Sequence, residues 1–188
     1  VEVGQIGTVL GRTLNGEAEE KRLTMAEARL DDGRRLLAVN DLFIGARSHV
    51  SARYRISWDG RSEEQSSSGI IVSTGVGSTG WLKSIYTGAV AIAQSQGCEA
   101  KLPEGFGQLP WDTDRLVFNV REPFPSIATQ VTLCCGCVTQ DTPLTLESHM
   151  AEVGVVFSDG VESDALPFIR GSSVTVYPAT IQARIAVG

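Results

Sequence analysis

A chain of 188 residues, 42% hydrophobic and 20% charged, has the length and composition of one ordinary water-facing globular domain with room for a sizeable core. Its net charge of −6 argues against broad, nonspecific attachment to nucleic acid or an anionic membrane, since both require basic surface; a small anion held at a local site is still allowed. No apolar run reaches the roughly 18 residues of a membrane span and there is no signal peptide, so a cytoplasmic protein with no membrane association is expected.

Taken in chain order, the first elements are short strands. Residues 23–30, 35–45 and 53–58 are apolar runs with turn residues at their ends. Asp31-Asp32-Gly33 and Asp59-Gly60 are the turn signals, the second a hairpin tip. Asn40-Asp41 interrupts the second run, between Leu36-Leu37-Ala38-Val39 and Leu42-Phe43-Ile44. Two strand-breaking polar residues there have two readings. One is a bulge or turn between two shorter strands. The other is a carboxamide and a carboxylate presented to a polar ligand, Asn for a base edge and Asp for ribose hydroxyls.

The segment Gly69-Ile70-Ile71-Val72-Ser73-Thr74-Gly75-Val76-Gly77-Ser78-Thr79-Gly80-Trp81 follows, a β-branched run that empties into a glycine- and hydroxyl-rich turn. Such a turn lays backbone bare for a small anion at the start of a helix. It matches G-x-G-x-x-G, with Glu99 at about the separation of a ribose-binding acid. A dinucleotide fingerprint, however, needs a second parallel strand ending at that acid. Gly97-Cys98-Glu99-Ala100-Lys101-Leu102-Pro103 does not read as one. A P-loop needs Lys-Ser/Thr where Trp81-Leu82 stands. A structural strand–turn–helix and a ligand loop of another kind both stay open.

From Trp81 to about Gln96, residues Leu82, Ile85, Tyr86, Ala89, Val90 and Ala93 recur at three- and four-residue steps, predicting one substantial helix. Ser78 or Thr79 is its expected cap and Gly97 its expected stop. Residues 103–111 read as a loop. Further strands are expected at 115–120, 130–138, 144–147, 153–157, 174–177 and 180–187, with Ser158-Asp159-Gly160 as a tight turn. Strand after strand at close spacing predicts a mainly β, antiparallel sandwich or barrel-like domain, and with no linker in view residues 1–188 read as a single domain.

Cys134-Cys135-Gly136-Cys137 contains C-x-x-C, but no second pair at zinc spacing and no nearby histidine accompany it. In the run 130–138 these residues are expected to behave as small apolar side chains, all four cysteines, Cys98 included, are expected to be reduced, and no metal site is expected. His49 and His149 share no pattern, and Asp112, Asp114, Asp159 and Asp164 fall in turn contexts.

Taken together, Ala38-Val39-Asn40-Asp41-Leu42, then Gly69-Ile70-Ile71-Val72-Ser73-Thr74 and Gly77-Ser78-Thr79-Gly80-Trp81, resemble the C-terminal domain of the NAD kinase family. That family carries an Asn-Glu pair after an apolar strand, then a segment close to Asp-Gly-Leu-Ile-Val-Ser-Thr-Pro-Thr-Gly-Ser-Thr-Ala-Tyr. Lys21-Arg22-Leu23-Thr24-Met25 and Val156-Phe157-Ser158-Asp159-Gly160 also fit. The resemblance implies a β-sandwich that binds NAD against a separate nucleotide-binding domain. It also implies phosphoryl transfer from ATP or polyphosphate to the adenosine ribose 2′-hydroxyl, giving NADP. NAD would be the substrate, ATP and Mg2+ would serve the full-length enzyme, and the protein would be a homo-oligomer.

Residue by residue, the resemblance makes Asn40, Asp41, Ser78, Thr79, Gly80 and Trp81 the acceptor-binding set. The departures are Ser68 for the family's Asp, Gly75 for Pro, Gly80 for Ala, Trp81 for Tyr, and Pro123-Phe124-Pro125-Ser126 near the family's Pro-His-Ser. They leave open a sugar or lipid kinase with a non-NAD acceptor, or a noncatalytic ligand-binding domain. The family's Gly-Gly-Asp-Gly, whose Asp takes the proton of the attacking hydroxyl, does not occur in the sequence. No catalytic residue is therefore assigned, and the missing N-terminal half is expected upstream of Val1.

Overall fold

The computed structural model describes residues 6–102, 104–105, 107–152 and 154–187. Pro103 and Val153, the first residues of an expected loop and an expected strand, lie outside them. In chain order the elements are α1 (Ile6–Leu14), β1 (Glu19–Leu30), β2 (Arg35–Ala38), β3 (Asp41–Ala46), β4 (Ala52–Trp58), β5 (Arg61–Ser67) and β6 (Ile70–Ser73). A short 3-10 turn, Gly77–Thr79, leads into α2 (Trp81–Ser95). Then come β7 (Leu116–Val120), β8 (Cys135–Val138), β9 (Leu144–Ser148), β10 (Gly154–Ser158), β11 (Val161–Phe168) and β12 (Ser173–Val187).

The strands form two six-stranded sheets, β2-β1-β12-β9-β4-β5 and β11-β10-β3-β6-β7-β8, and every pairing is antiparallel. The expected mainly β antiparallel architecture is therefore present. Alternation builds the core between the sheets. In β7 and β9 every second residue is buried, and Tyr54, Ile56, Leu144 and Leu146 face Leu42, Ile44, Val72, Phe118 and Phe168 in one apolar cluster.

β3 and β6 depart from this alternation, because nearly all their residues are buried on both faces. Phe43, Ile71 and Val155 point away from the main core and form a second cluster with Trp81, Ile85 and Phe157. The first half of α2 covers this outer face. Only Leu82 of α2 is fully buried, and Ile92 in its second half is 69% exposed, so the helix leaves the body as it proceeds.

Several boundaries differ from expectation for local reasons. Residues 35–45 are two strands because Val39-Asn40 bends the chain between β2 and β3. The expected strands 174–177 and 180–187 are one strand, and Pro178 is accommodated where the β1–β12 register shifts between Thr24 and Ala26. Only 135–138 of the run 130–138 is strand. β8 is an edge strand, and the cysteines are not core residues: Cys98 and Cys135 are exposed and Cys134 and Cys137 half-buried, all as free thiols. α1 buries no residue, and β5 and β11 are additional strands. No helix among the described residues is long and apolar enough to cross a membrane.

Candidate functional site

Asp41 opens β3 and Ser73 closes β6, and the two residues sit directly opposite each other in the ladder. Both strands end at the same pole of the sandwich, so the two sequence motifs meet there. Thr74 ties them together: its N–H donates to Asn40 O at 2.9 Å and its hydroxyl to Val39 O. It also accepts from Gly77 N at 3.2 Å, which starts the 3-10 turn.

Glycine is required where this turn presses on its neighbours. A Cβ on Gly77 would overlap Asn40 O and lie 2.6 Å from Asn40 C and 2.8 Å from Asp41 Oδ1. A Cβ on Gly75 would overlap Pro110 O and lie 3.2 Å from Trp111 Cα. At Gly80 the nearest atom would be Gly77 O at 3.4 Å, an ordinary contact, so the space there admits a methyl group.

Asp159, at positive φ (52°) in the β10–β11 turn, clamps the opposite side of the Asn40-Asp41 turn. Its carboxylate accepts from Val39 N at 2.9 Å, Asn40 N at 2.6 Å and Asp41 N at 3.2 Å, while its own N–H donates to Asp41 O at 2.9 Å. The sequence marks Asp159 as a turn residue within a segment that fits the resembled family, with no role assigned to it. Its capping of a turn more than a hundred positions away is a tertiary fact with no local signal.

With its backbone so held, the Asn40 carboxamide makes no hydrogen bond to any described residue and is open to a ligand. Asp41 Oδ1 accepts from the Ser73 hydroxyl, leaving Oδ2 without a protein donor. Burial pushes the Asp41 carboxyl up to about 6, with the nearby Asp159 charge acting the same way and the Ser73 hydrogen bond opposing both. Asp41 and Phe43, two apart on β3, share the outer face of the sheet. Trp81 stacks on Phe43 with ring centroids 6.0 Å apart and planes 7° from parallel, and Arg121 lies 5.5 Å from the Trp81 centroid. Ser68, where the resembled family has a carboxylate, lines a cavity of about 480 Å3 with Trp81 and Arg121.

The six residues singled out in the sequence therefore divide by role. Asn40, Asp41, Thr79 and Gly80 gather at one pole with accessible polar groups, and Trp81 continues the same outer face. Ser78 is different. It is fully buried, its hydroxyl is within hydrogen-bond distance of Gly75 O (2.7 Å) and Gly107 O (3.2 Å), and it accepts from Leu109 N at 3.3 Å. It braces the turn against the 107–109 loop. Neither Ser78 nor Thr79 caps α2: the N-cap position is Gly80 and no side chain caps it, so the first N–H groups of a 15-residue helix stay open beside the turn. At the other end Gly97, at positive φ (81°), ends the helix in the expected way, with Cys98 N donating to Ala93 O at 3.0 Å.

No protein-family model and no curated protein matches the sequence. Among solved structures, yeast NADH kinase complexed with NADH superimposes with a TM-score of 0.65 at 15% identity, covering 94% of this chain and 46% of that one. At that identity the likeness is one of fold. The chain spans about half the length of that kinase.

Proposed function

We propose that this chain is the acceptor-binding domain of an NAD kinase-like phosphotransferase, and that NAD is the acceptor whose adenosine ribose 2′-hydroxyl receives a phosphoryl group from ATP or polyphosphate. The single observation that carries this reading is the convergence at one pole of an unpartnered carboxamide, a half-satisfied carboxylate and an open helix N-terminus. A nucleoside needs those three groups: Asn40 for a base edge, Asp41 for ribose hydroxyls, the helix start for phosphate. The fold shared with yeast NADH kinase supports it. In this reading Thr79 and Gly80 contact the ligand, Trp81 is its aromatic wall, and Ser78 acts only through the shape of the turn.

The reading also carries a second, phosphate-cradling domain and self-association, which sedimentation of the full-length protein would test. The described residues contain no group of three or more His, Cys, Asp or Glu able to hold a metal.

Titrating NADH, followed by its fluorescence, tests the reading. Saturable binding is expected, weakened by roughly 1–3 kcal/mol in Asp41→Ala. Binding that Asp41→Ala leaves untouched would remove the site. A second reading, a kinase for a phosphorylated sugar or lipid, is favoured by one observation. Ser68 replaces a carboxylate beside Arg121, which makes that wall more hospitable to anions. Competition of NADH by sugar phosphates would distinguish the two.

A further inference from the structure

At the opposite pole, β3 ends at Ala46, roughly 17 Å along the strand from Asp41. There the β3–β4 loop, the start of β4, the residues after β9 and the β11–β12 turn enclose a cavity of about 510 Å3. Arg47, Arg53 and Arg170 line it, with the Ser48 and Ser51 hydroxyls between them. Glu152 is the one carboxylate on its wall. None of the three guanidinium groups makes a hydrogen bond or ion pair with a described residue.

Glu162 stands beside Arg47 in the adjoining cavity, and the other neighbouring acids are already engaged. Glu64 pairs with Arg55 at 2.7 Å and with His149 Nδ1 at 2.9 Å, and Glu147 lies 3.4 Å from His149 Nε2 and 3.9 Å from Arg55. The local balance is thus three arginines against two carboxylates, Glu152 on the wall and Glu162 beside Arg47, in a chain whose net charge is −6. A concentration of unpaired positive charge against that background needs a partner of its own.

We infer that this cavity binds a small anion bearing several phosphate groups. Planar guanidinium forks match phosphate oxygens two at a time, and three of them around one cavity suit a chain of phosphates better than a single one. The volume falls within the range of roughly 300–1,000 Å3 typical of small-molecule sites. Among its lining residues there is no Phe, Tyr or Trp on which a base could stack, so recognition is by phosphate. Two of the three arginines stand on fixed backbone: Arg53 O accepts from His149 N at 2.9 Å, and the Arg170 turn is held by Gly171 N to Ser148 O at 2.8 Å. The cavity adjoins the one lined by Ser68, Trp81 and Arg121, sharing Arg47, Ser48 and Ser51 with it, but it lies at the far end of β3 from Asp41 and does not rest on the function proposed above.

Isothermal titration of the full chain with inorganic tripolyphosphate, orthophosphate and sulfate tests it. One saturable site is expected, with tripolyphosphate at least tenfold tighter than orthophosphate or sulfate. The Arg53→Gln/Arg170→Gln pair should weaken tripolyphosphate at least tenfold, and Arg53→Lys/Arg170→Lys should recover only part of the loss. Arg22→Gln/Arg35→Gln, which removes two exposed arginines elsewhere, should leave it within twofold. NADH affinity should be unchanged in all three pairs. The inference is overturned if no saturable site is found, if the Arg53/Arg170 pair binds like the unmodified chain, or if the Arg22/Arg35 pair loses as much.

Discussion

Asp41 carries two opposed pH dependences. Its carboxyl is raised from 3.8 to about 6 in the fold, so the native chain holds a proton there that the unfolded chain has released. Stability from this group is complete below about pH 4 and is lost as pH rises through about 6, a loss of about 1–2 kcal/mol after allowance for partial solvation. Urea denaturation of Asp41→Asn should lack that decline, so the difference between variant and parent should grow in the variant's favour from pH 4 to 7. Ligand binding should run the other way, strengthening through pH 6 as the carboxylate becomes a full acceptor. Gly77→Ala is a second residue-scale test. The methyl group would meet backbone that the Asp159 and Thr74 hydrogen bonds hold in place, and about 2–4 kcal/mol of destabilisation is expected in the same denaturation assay. Asn40-Asp41 and the glycine turn were legible in the sequence because polar residues in a strand and glycines in a turn break local rules. The roles of Ser78 and Asp159 were not, since each is set by loops distant in the chain, and a hydroxyl reads the same whether it is buried or open.

At the scale of elements, what was legible follows burial on one side. β7 and β9 alternate because one face meets the core, whereas β11 begins Val161-Glu162-Ser163-Asp164 on an exposed edge, with nothing to impose a period. α1 was missed for a related reason: none of its residues is buried, and Gly7 and Gly11 weaken its helical pattern. α2 shows the limit of periodicity, since its apolar spacing continues past the point where the helix leaves the sheet. Leu82→Ala should therefore cost about 2–4 kcal/mol and Ile92→Gln less than about 0.5 kcal/mol, measured by denaturant midpoint. Edge protection supplies another test. Glu63 on β5 accepts from Thr132 N at 3.0 Å and Leu133 N at 2.9 Å, and the 130–133 segment thereby covers the end strand of its sheet. Glu63→Ala leaves those two donors without their acceptor and should cost about 2–3 kcal/mol.

At the scale of the molecule, the strands of the second sheet carry different chemistry at their two ends, and the Asp41 end is the one joined to catalysis by the proposed function. Phosphoryl transfer to a ribose hydroxyl needs a base within hydrogen-bond reach of that hydroxyl and a cradle for the donor's phosphates. The sequence contains no Gly-Gly-Asp-Gly to supply either, and the turn at residues 75–80 spends Gly75 and Gly77 on close backbone packing and the buried Ser78 hydroxyl on bracing. Asp41 is the one carboxyl at the pole whose ionisation near pH 6 would suit a base, but it already accepts from Ser73. The 188 residues alone should bind nucleotide and yet form no NADP from ATP, Mg2+ and NAD above a no-protein control over several hours. Sustained NADP formation would refute the separation of acceptor binding from chemistry. If that formation also vanished in Asp41→Asn at saturating NAD, with NADH still bound by the variant, the base would be Asp41 itself and a second domain would be unnecessary for the proton transfer.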